Sequence, residues 1–466
     1  MRHWYEGQAT RDGAMMREAE EDLGQERTSM GKVAFASFVG TAIEFYDFYI
    51  YGTAAALVLG SIFFPEFSPA AGTLAAFATF AVAFVARPLG GAVFGHFGDR
   101  IGRKSMLILS LLVMGVATVL IGLLPGYAAI GVAAPILLVV LRFLQGFGLG
   151  GEWGGAVLIA TEHAPEDKRG LYSSFPQMGP AAGFLLANGF FLALAATLSD
   201  EQFAAWGWRV PFVASLVLVL VGLYVRMTIA ETPVFSRAME IQTRAKVPFW
   251  DMLRTYPLVL LLSSGGMVLA YVLFYIITTF ALAYGTTNLG LPNTTLLYCT
   301  LIAVALMGVA VPIFAWLSDK VGRRRLCLAG AALAALWAFP LFWLLNTGNP
   351  VLIALSFSVG MVIFAMLYGP MGAFLPELYG TRLRYSGAAV SYNLGGVLGG
   401  ALAPIIASQL LAATSASWSI SLYVLAMAAL SFVSVLLLSE THLSNLSEPR
   451  TEERRLIARE RGPAAE

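Results

Sequence analysis

From Val33 to Leu438 the chain alternates long apolar runs with short polar connections. A helix needs roughly 20 apolar residues to cross the hydrocarbon core of a bilayer. Twelve runs meet that need, at 33–58, 71–97, 105–124, 131–161, 171–198, 209–230, 256–284, 294–317, 326–345, 351–375, 386–412 and 418–438. The pattern predicts an all-α membrane protein with twelve transmembrane helices. Composition agrees: 58% of residues are hydrophobic and 12% charged, and the mean hydropathy is +0.74, which leaves too little polar surface to cover a soluble globule.

The polar connections carry an internal repeat. GDRIGRK at Gly98–Lys104 returns as SDKVGRRR at Ser318–Arg325, each directly after an apolar run. Glu162 precedes Arg169 and Gly170 at the spacing by which Glu377 precedes Arg384, and Ser386 and Gly387 follow the second pair. Two motif pairs in the same order and on the same side imply two pseudo-symmetric six-helix bundles. The expected organisation is a tail at 1–31, a bundle at 32–230, a central loop at 231–255, a second bundle at 256–439 and a tail at 440–466. Both tails are polar, and the second is expected to lack fixed structure. Residues 1–31 contain no signal-peptide apolar core, so the first helix is the expected insertion signal. Apart from Arg87, Arg142 and Arg209, every Lys and Arg lies in a tail or in a connection that follows an even-numbered helix. Basic residues are retained on the cytoplasmic side, which places both termini there, in a multi-pass protein of the cell membrane. The net charge of +1 gives no sign of a nucleic-acid partner.

Ionisable side chains inside predicted spans are few and therefore informative, since each costs a few kcal/mol at bilayer depth. They are Glu44, Asp47, Arg87, Arg142 and Glu152, all in the first half. At 1.5 Å rise per residue, Asp47 lies about 22 Å in from Lys32 and Arg87 about 18 Å in from Asp99. Those are mid-membrane depths, reachable only toward an interior cavity or one another. Glu44 and Asp47 share a helix face, with Tyr51 a turn beyond. A buried carboxylate whose surroundings change on substrate binding can take up and release a proton. Asp47, contacted by Arg142, is thus the expected proton-coupling residue, with Glu44 second. Glu44, Arg87 and Glu152 can equally form structural ion pairs. A guanidinium fork holds a carboxylate with two parallel hydrogen bonds, so Arg87 and Arg142 point to an organic anion as substrate.

The second half places no Asp, Glu, Lys or Arg deep in a span but offers Tyr271, Tyr275, Tyr298, Tyr368, Tyr392 and Asn393. Tyr271, Tyr275 and Asn393 lie nearest mid-helix and are the expected substrate contacts, with Tyr51, Gln177 and Asn188 from the first half. At the cytoplasmic ends, Asp99, Arg100, Arg103, Glu162 and Arg169, with Asp319, Arg323, Glu377 and Arg384, are placed to pair as a gate that breaks when the inside opens. Glycines at Gly146, Gly150 and Gly154, and at Gly395, Gly396, Gly399 and Gly400, allow close helix approach. Cys299 and Cys327 read as small packing residues. No G-x-x-x-x-G-K-[ST] string is present, so an ion or substrate gradient must supply the energy. No nucleophile or metal-ligand cluster suggests an enzyme, and no metal or cofactor is expected.

The paired loop motif resembles that of the major facilitator superfamily. GTAIEFYDFYIYG (Gly40–Gly52), ARPLGG (Ala86–Gly91), RFLQGFGLGGEWGGA (Arg142–Ala156), ETPVF (Glu231–Phe235) and PELYGTRLRYSG (Pro376–Gly387) resemble its metabolite:proton symporter family. The resemblance implies a monomeric secondary transporter that imports a small organic acid with H+ by alternating access. It also admits a proline- or betaine-type osmolyte symporter, although the tail lacks the coiled coil of osmosensing relatives. GPAAG in the fifth helix partly resembles an antiporter motif, which keeps proton-coupled export open.

Overall fold

The computed structural model describes residues 38–101, 103–150, 153–162, 164–228, 253–380 and 383–442. Among these, every regular element is helical. Among the described residues, nine helices are long and apolar enough to cross a membrane. They are α1 (Phe38–Phe63), α2 (Pro69–Ile101), α5 (Arg169–Thr197), α7 (Pro257–Thr287), α8 (Asn293–Val321), α9 (Arg323–Leu345), α10 (Pro350–Glu377), α11 (Ser386–Thr414) and α12 (Trp418–Leu437). A bent pair, Asp200–Gly207 with Arg209–Tyr224 at 44°, supplies a tenth, whose second member lies in α6 (Arg209–Thr228). In the two remaining predicted segments the described apolar helices are Ile108–Leu123, within α3 (Arg103–Leu123), and Ala133–Leu149, which with Trp153–Glu162 forms the described part of α4.

Helix ends depart from the apolar limits where polar residues can carry the helix on. α2 runs through the first loop motif to Ile101 and α8 through the second to Val321, beyond the predicted ends at 97 and 317. Local chemistry explains several ends. Asn349 Oδ1 accepts from the Val351 and Leu352 amides at 2.9 and 3.4 Å, ahead of Pro350, which starts α10 with its preset φ. Arg209, the exception in the charge pattern, donates from Nη1 to the Gly122 and Leu124 carbonyls at 2.9 and 2.6 Å and so caps the end of α3.

Outward faces are apolar: Val217, Leu261, Leu336 and Trp343 are more than half exposed. Inward faces bury Asp47, Arg87, Arg142, Gln177 and Asn188 instead. This inversion is what a lipid-solvated helical protein with a polar interior requires. The most enclosed spans are α1 and α7, with 78% and 89% of their apolar windows buried. Both contain a widened π-helical turn at matching places, Ala55–Leu59 and Ile276–Phe280, a structural echo of the loop-motif repeat.

First-half and second-half helices meet at several seams. Tyr49 of α1 packs on Phe274 of α7 with ring centres 5.2 Å apart. Gly396 and Gly400 of α11 lie against Phe84 of α2, and Gly372 of α10 against Ser173 of α5. Residues 229–252, which hold most of the expected central loop, and Glu152 lie outside the described residues. One expectation needs correcting: Glu440, Thr441 and His442, assigned to an unstructured tail, are packed against the ends of α9 and α10. Glu440 accepts from the Arg323 and Arg324 amides at 2.9 and 3.1 Å, and Thr441 donates to Glu377 at 2.6 Å.

Candidate functional site

Two small cavities lie between first-half and second-half helices. One, of about 20 Å³, is lined by rings of Phe45, Tyr49, Tyr271, Phe274, Tyr275, Phe364, Tyr368 and Tyr392, with Pro180 of α5. The other, of about 10 Å³, is lined by Glu44, Phe45, Arg87, Leu149, Gly150, Trp153, Tyr392 and Asn393. The second lies toward the loop-motif end, since Glu44 precedes Tyr49 in α1 and Arg87 follows Phe84 in α2. Each holds about one water, so the interior is closed around the site.

Asp47 is fully buried, and neither carboxylate oxygen has a hydrogen-bond partner. Thr118 and Ser215 lie beside it, but their hydroxyls donate to the Met114 and Phe212 carbonyls. The expected contact with Arg142 is not formed. Arg142 Nη1 donates to Gln145 Oε1 and Nη2 to the Phe80 carbonyl at 3.3 Å, while the guanidinium carbon lies 3.7 Å from the Tyr51 ring centre. Gln145, one turn along α4, intercepts the guanidinium. Its Nε2 donates to the Asp47 backbone carbonyl at 2.9 Å and to Thr118 Oγ1 at 2.7 Å. Arg142 and Asp47 are therefore linked through Gln145, a residue not singled out from the sequence although it lies within RFLQG.

Arg87 is 2% exposed, and its Nε and Nη2 have no hydrogen-bond partner. Its guanidinium rests 4.2 Å from the centre of Phe48 and 4.8 Å from that of Phe84, a cation–π setting. Glu44 lines the same cavity. The Tyr271 hydroxyl, at the aromatic cavity, also lacks a partner, and its ring lies parallel to that of Tyr275 at 6.5 Å. Asn393 lines the loop-side cavity and donates to the Gly150 carbonyl at 3.4 Å.

Three other expected substrate contacts are occupied by the protein. Asn188 accepts from Thr53 at 2.5 Å and donates to the Phe184 carbonyl, tying α5 to α1. Gln177 accepts from the Trp153 indole and donates to the Tyr368 carbonyl, both at 2.9 Å. Tyr51 bonds the Thr79 hydroxyl and supports Arg142. Trp153 and Tyr392 stack with ring centres 3.6 Å apart. Tyr392 is one of the second-half tyrosines the sequence offers, placed farther from mid-helix than Tyr271 and Tyr275, whereas Trp153 enters the sequence reading only as part of RFLQGFGLGGEWGGA.

Glycines make the scaffold around these groups. A Cβ on Gly146 or Gly150 would overlap the Ala83 or Arg87 carbonyl, and one on Gly90 the Phe147 carbonyl. The backbones of α2 and α4 thus touch directly.

At the loop-motif end, Asp319 bridges the halves. Its Oδ1 and Oδ2 accept from the Gly170 and Leu171 amides at 2.8 and 3.0 Å, capping the start of α5, and Oδ1 is 2.6 Å from Arg323 Nη1. Arg323 continues to Glu377 at 3.3 Å. Arg169 and Arg384 are buried, at 6% and 3% exposed. The side chains of Asp99, Arg100, Arg103 and Glu162 lie outside the described part of the structure.

Among the described residues, apolar helices in two packed halves enclose buried charges, and the family and relatives of the chain make it a secondary transporter of metabolites. The chain belongs to the Major Facilitator Superfamily, whose sequence pattern matches residues 37–404. It is 49% identical over 423 residues to the inner membrane metabolite transport protein YhjE of Escherichia coli, covering 90% of this chain and 96% of that one. It is 42% identical to the shikimate transporter of E. coli (88% and 94% covered). Identity to the proline/betaine transporter of Salmonella typhimurium is 34% (88% and 83% covered). The xylose transporter XylE of E. coli, in a partially occluded inward-open conformation, superposes with a TM-score of 0.68 at 19% identity, covering 90% and 99%. That likeness concerns the fold.

Proposed function

We propose that the protein imports a small organic carboxylate together with H+, with the loop-motif end and both termini in the cytoplasm, working as a monomer of two bundles (32–230 and 256–439). The observation that carries this reading is the pairing of two unsatisfied buried groups beside a closed interior: Asp47, whose carboxyl accepts no hydrogen bond, and Arg87, whose Nε and Nη2 donate none. Burying a charged group without partners is costly, so each is explained by a companion that comes and goes. For Asp47 that companion is a proton. For Arg87 it is a carboxylate, held by the guanidinium fork while the body of the substrate lies among the rings. Gln145 links Asp47 and Thr118 to Arg142, whose helix α4 packs backbone to backbone on α2, the helix of Arg87. Asp319, Arg323 and Glu377 with the start of α5 form the cytoplasmic gate, closed here.

One observation favours a second reading. A box of tyrosine and phenylalanine rings suits an N-methylated cation, so a betaine-type zwitterion is the competing substrate.

The experiment is uptake into proteoliposomes with an imposed pH gradient, offering shikimate, other cyclic and linear carboxylates, and betaine, alongside counterflow without a gradient. Asp47→Asn is expected to lose uphill accumulation yet keep counterflow. Undiminished accumulation in that variant would reject Asp47 as the coupling site, and betaine uptake without carboxylate uptake would select the second reading. Efflux driven by inward H+ flow would replace import by export.

A further inference from the structure

The two cavities share two walls, Phe45 and Tyr392. We propose that the loop-side cavity around Arg87 and Asn393 is a gated subsite for the substrate's carboxylate. The Tyr392 ring, leaning on Trp153, shuts it off from the aromatic cavity. This rests on the transport reading above and adds an order of events: the substrate first occupies the aromatic cavity, and its carboxylate reaches Arg87 only once Tyr392 has moved.

The two faces of the partition are held differently. Trp153 is fixed, because its indole N–H donates to Gln177, which is itself tied to the Tyr368 carbonyl. Tyr392 is held mainly by its stack on Trp153 and by an edge contact with Tyr271 at 5.3 Å. Its hydroxyl lies a long 3.4 Å from that of Tyr368. Directly after it, α11 leaves regular α-helical bonding in a glycine-rich π turn, Gly396–Ala401, a place where a helix end can rotate at low cost. Asn393, next in sequence, makes another contact between α11 and α4, at 3.4 Å to the Gly150 carbonyl. A turn of α11 releases both contacts together and presents the Asn393 amide, beside the two free N–H groups of Arg87, to an incoming anion. Glu44 lines the same cavity.

The test uses the full chain with Cys299→Ala and Cys327→Ala, reconstituted in liposomes, with Asn393→Cys as reporter. The probes are an anionic and a neutral methanethiosulfonate of similar size. Tyr392→Ala is expected to raise the labelling rate about tenfold, as removal of an aromatic stack from a closed state should. Trp153→Ala should do the same from the other side, and Tyr392→Phe, which keeps the ring, should stay within about twofold of the parent. Adding Arg87→Met should lower the anionic-to-neutral rate ratio. Unchanged labelling in both alanine variants would overturn the partition, and a ratio indifferent to Arg87 would overturn the anion subsite. Labelling is measured without substrate. Absence of carboxylate uptake by the unsubstituted chain, which keeps Asn393, with this labelling pattern intact would therefore count against the transport reading alone.

Discussion

Replacing Asp319 by alanine removes three contacts at once: caps on the Gly170 and Leu171 amides at 2.8 and 3.0 Å and the ion pair with Arg323 at 2.6 Å. The first two join the halves and exist only while the loop-motif end is closed, since water satisfies those amides once the halves part. Loss of a helix cap costs about 1 kcal/mol. Leaving a buried charge without a partner costs about 3–5 kcal/mol, but Arg323 keeps Glu377 at 3.3 Å, so only a fraction of that applies. A net penalty of about 2 kcal/mol on the closed arrangement shifts the closed-to-open ratio about 30-fold. Asp319→Asn retains a carbonyl oxygen for one amide and should shift it about fivefold, for about 1 kcal/mol. Spin labels at the exposed positions Lys168 and Arg325, placed by cysteine substitution in the cysteine-free chain, report the separation of the two ends by pulsed dipolar spectroscopy. The expected result is a long-distance population growing in the order parent, Asp319→Asn, Asp319→Ala. Identical distance distributions in all three folded proteins would refute the gate.

Other outcomes follow from the same geometry. Arg87→Lys keeps the charge and loses the fork, so the KM for a transported carboxylate should rise about tenfold with a smaller change in kcat, measured as initial uptake rates. Gly146→Ala drives a methyl into the Ala83 carbonyl and should destabilise the protein by about 1–3 kcal/mol. Gly189→Ala, with open space around it, should leave the melting temperature in detergent unchanged. At Glu440, burial pushes the carboxyl up, but hydrogen bonds from the Thr441, His442 and Arg323 amides more than offset it and hold the group below its ordinary value. Its stabilising contribution is therefore present at neutral pH, above the ordinary carboxyl value of about 4.3, and is lost as pH falls through its depressed folded value. Hydrogen exchange at the Arg323 and Arg324 amides should accelerate over that acidic range, and Glu440→Gln should abolish the dependence.

The spans were legible because lipid imposes one requirement, about 20 apolar residues, and the repeat was legible because the loop motifs recur in order. The depth of Asp47 and Arg87 followed from rise per residue alone. Partnership did not. An amide in an apolar helix must bond something, yet its position along the chain does not say whether that is a ligand or a neighbour. Gln177 and Asn188 turned out to serve neighbours. Arg142 was assigned to Asp47 because opposite charges at similar depth attract, and Gln145 wins because it lies one turn away on the same helix. Tyr392 and Trp153 carry no spacing signal, since their meeting depends on how α4 and α11 cross. Glu440 and Thr441 were given to the tail because they follow the last apolar run, although their side chains cap and pair with helix ends.

The glycine seam between α2 and α4 constrains how the buried charges of these helices can move. With Gly90, Gly146 and Gly150 bringing the two backbones into contact, no layer of flexible side chains lets one helix slip past the other. Arg87 and Arg142 therefore ride on a common strut, and their mutual distance is nearly a constant of the transport cycle. If Arg142 ever reaches Asp47, the displacement must come from α1 or from rotation of the two side chains about Gln145, and not from travel of α4.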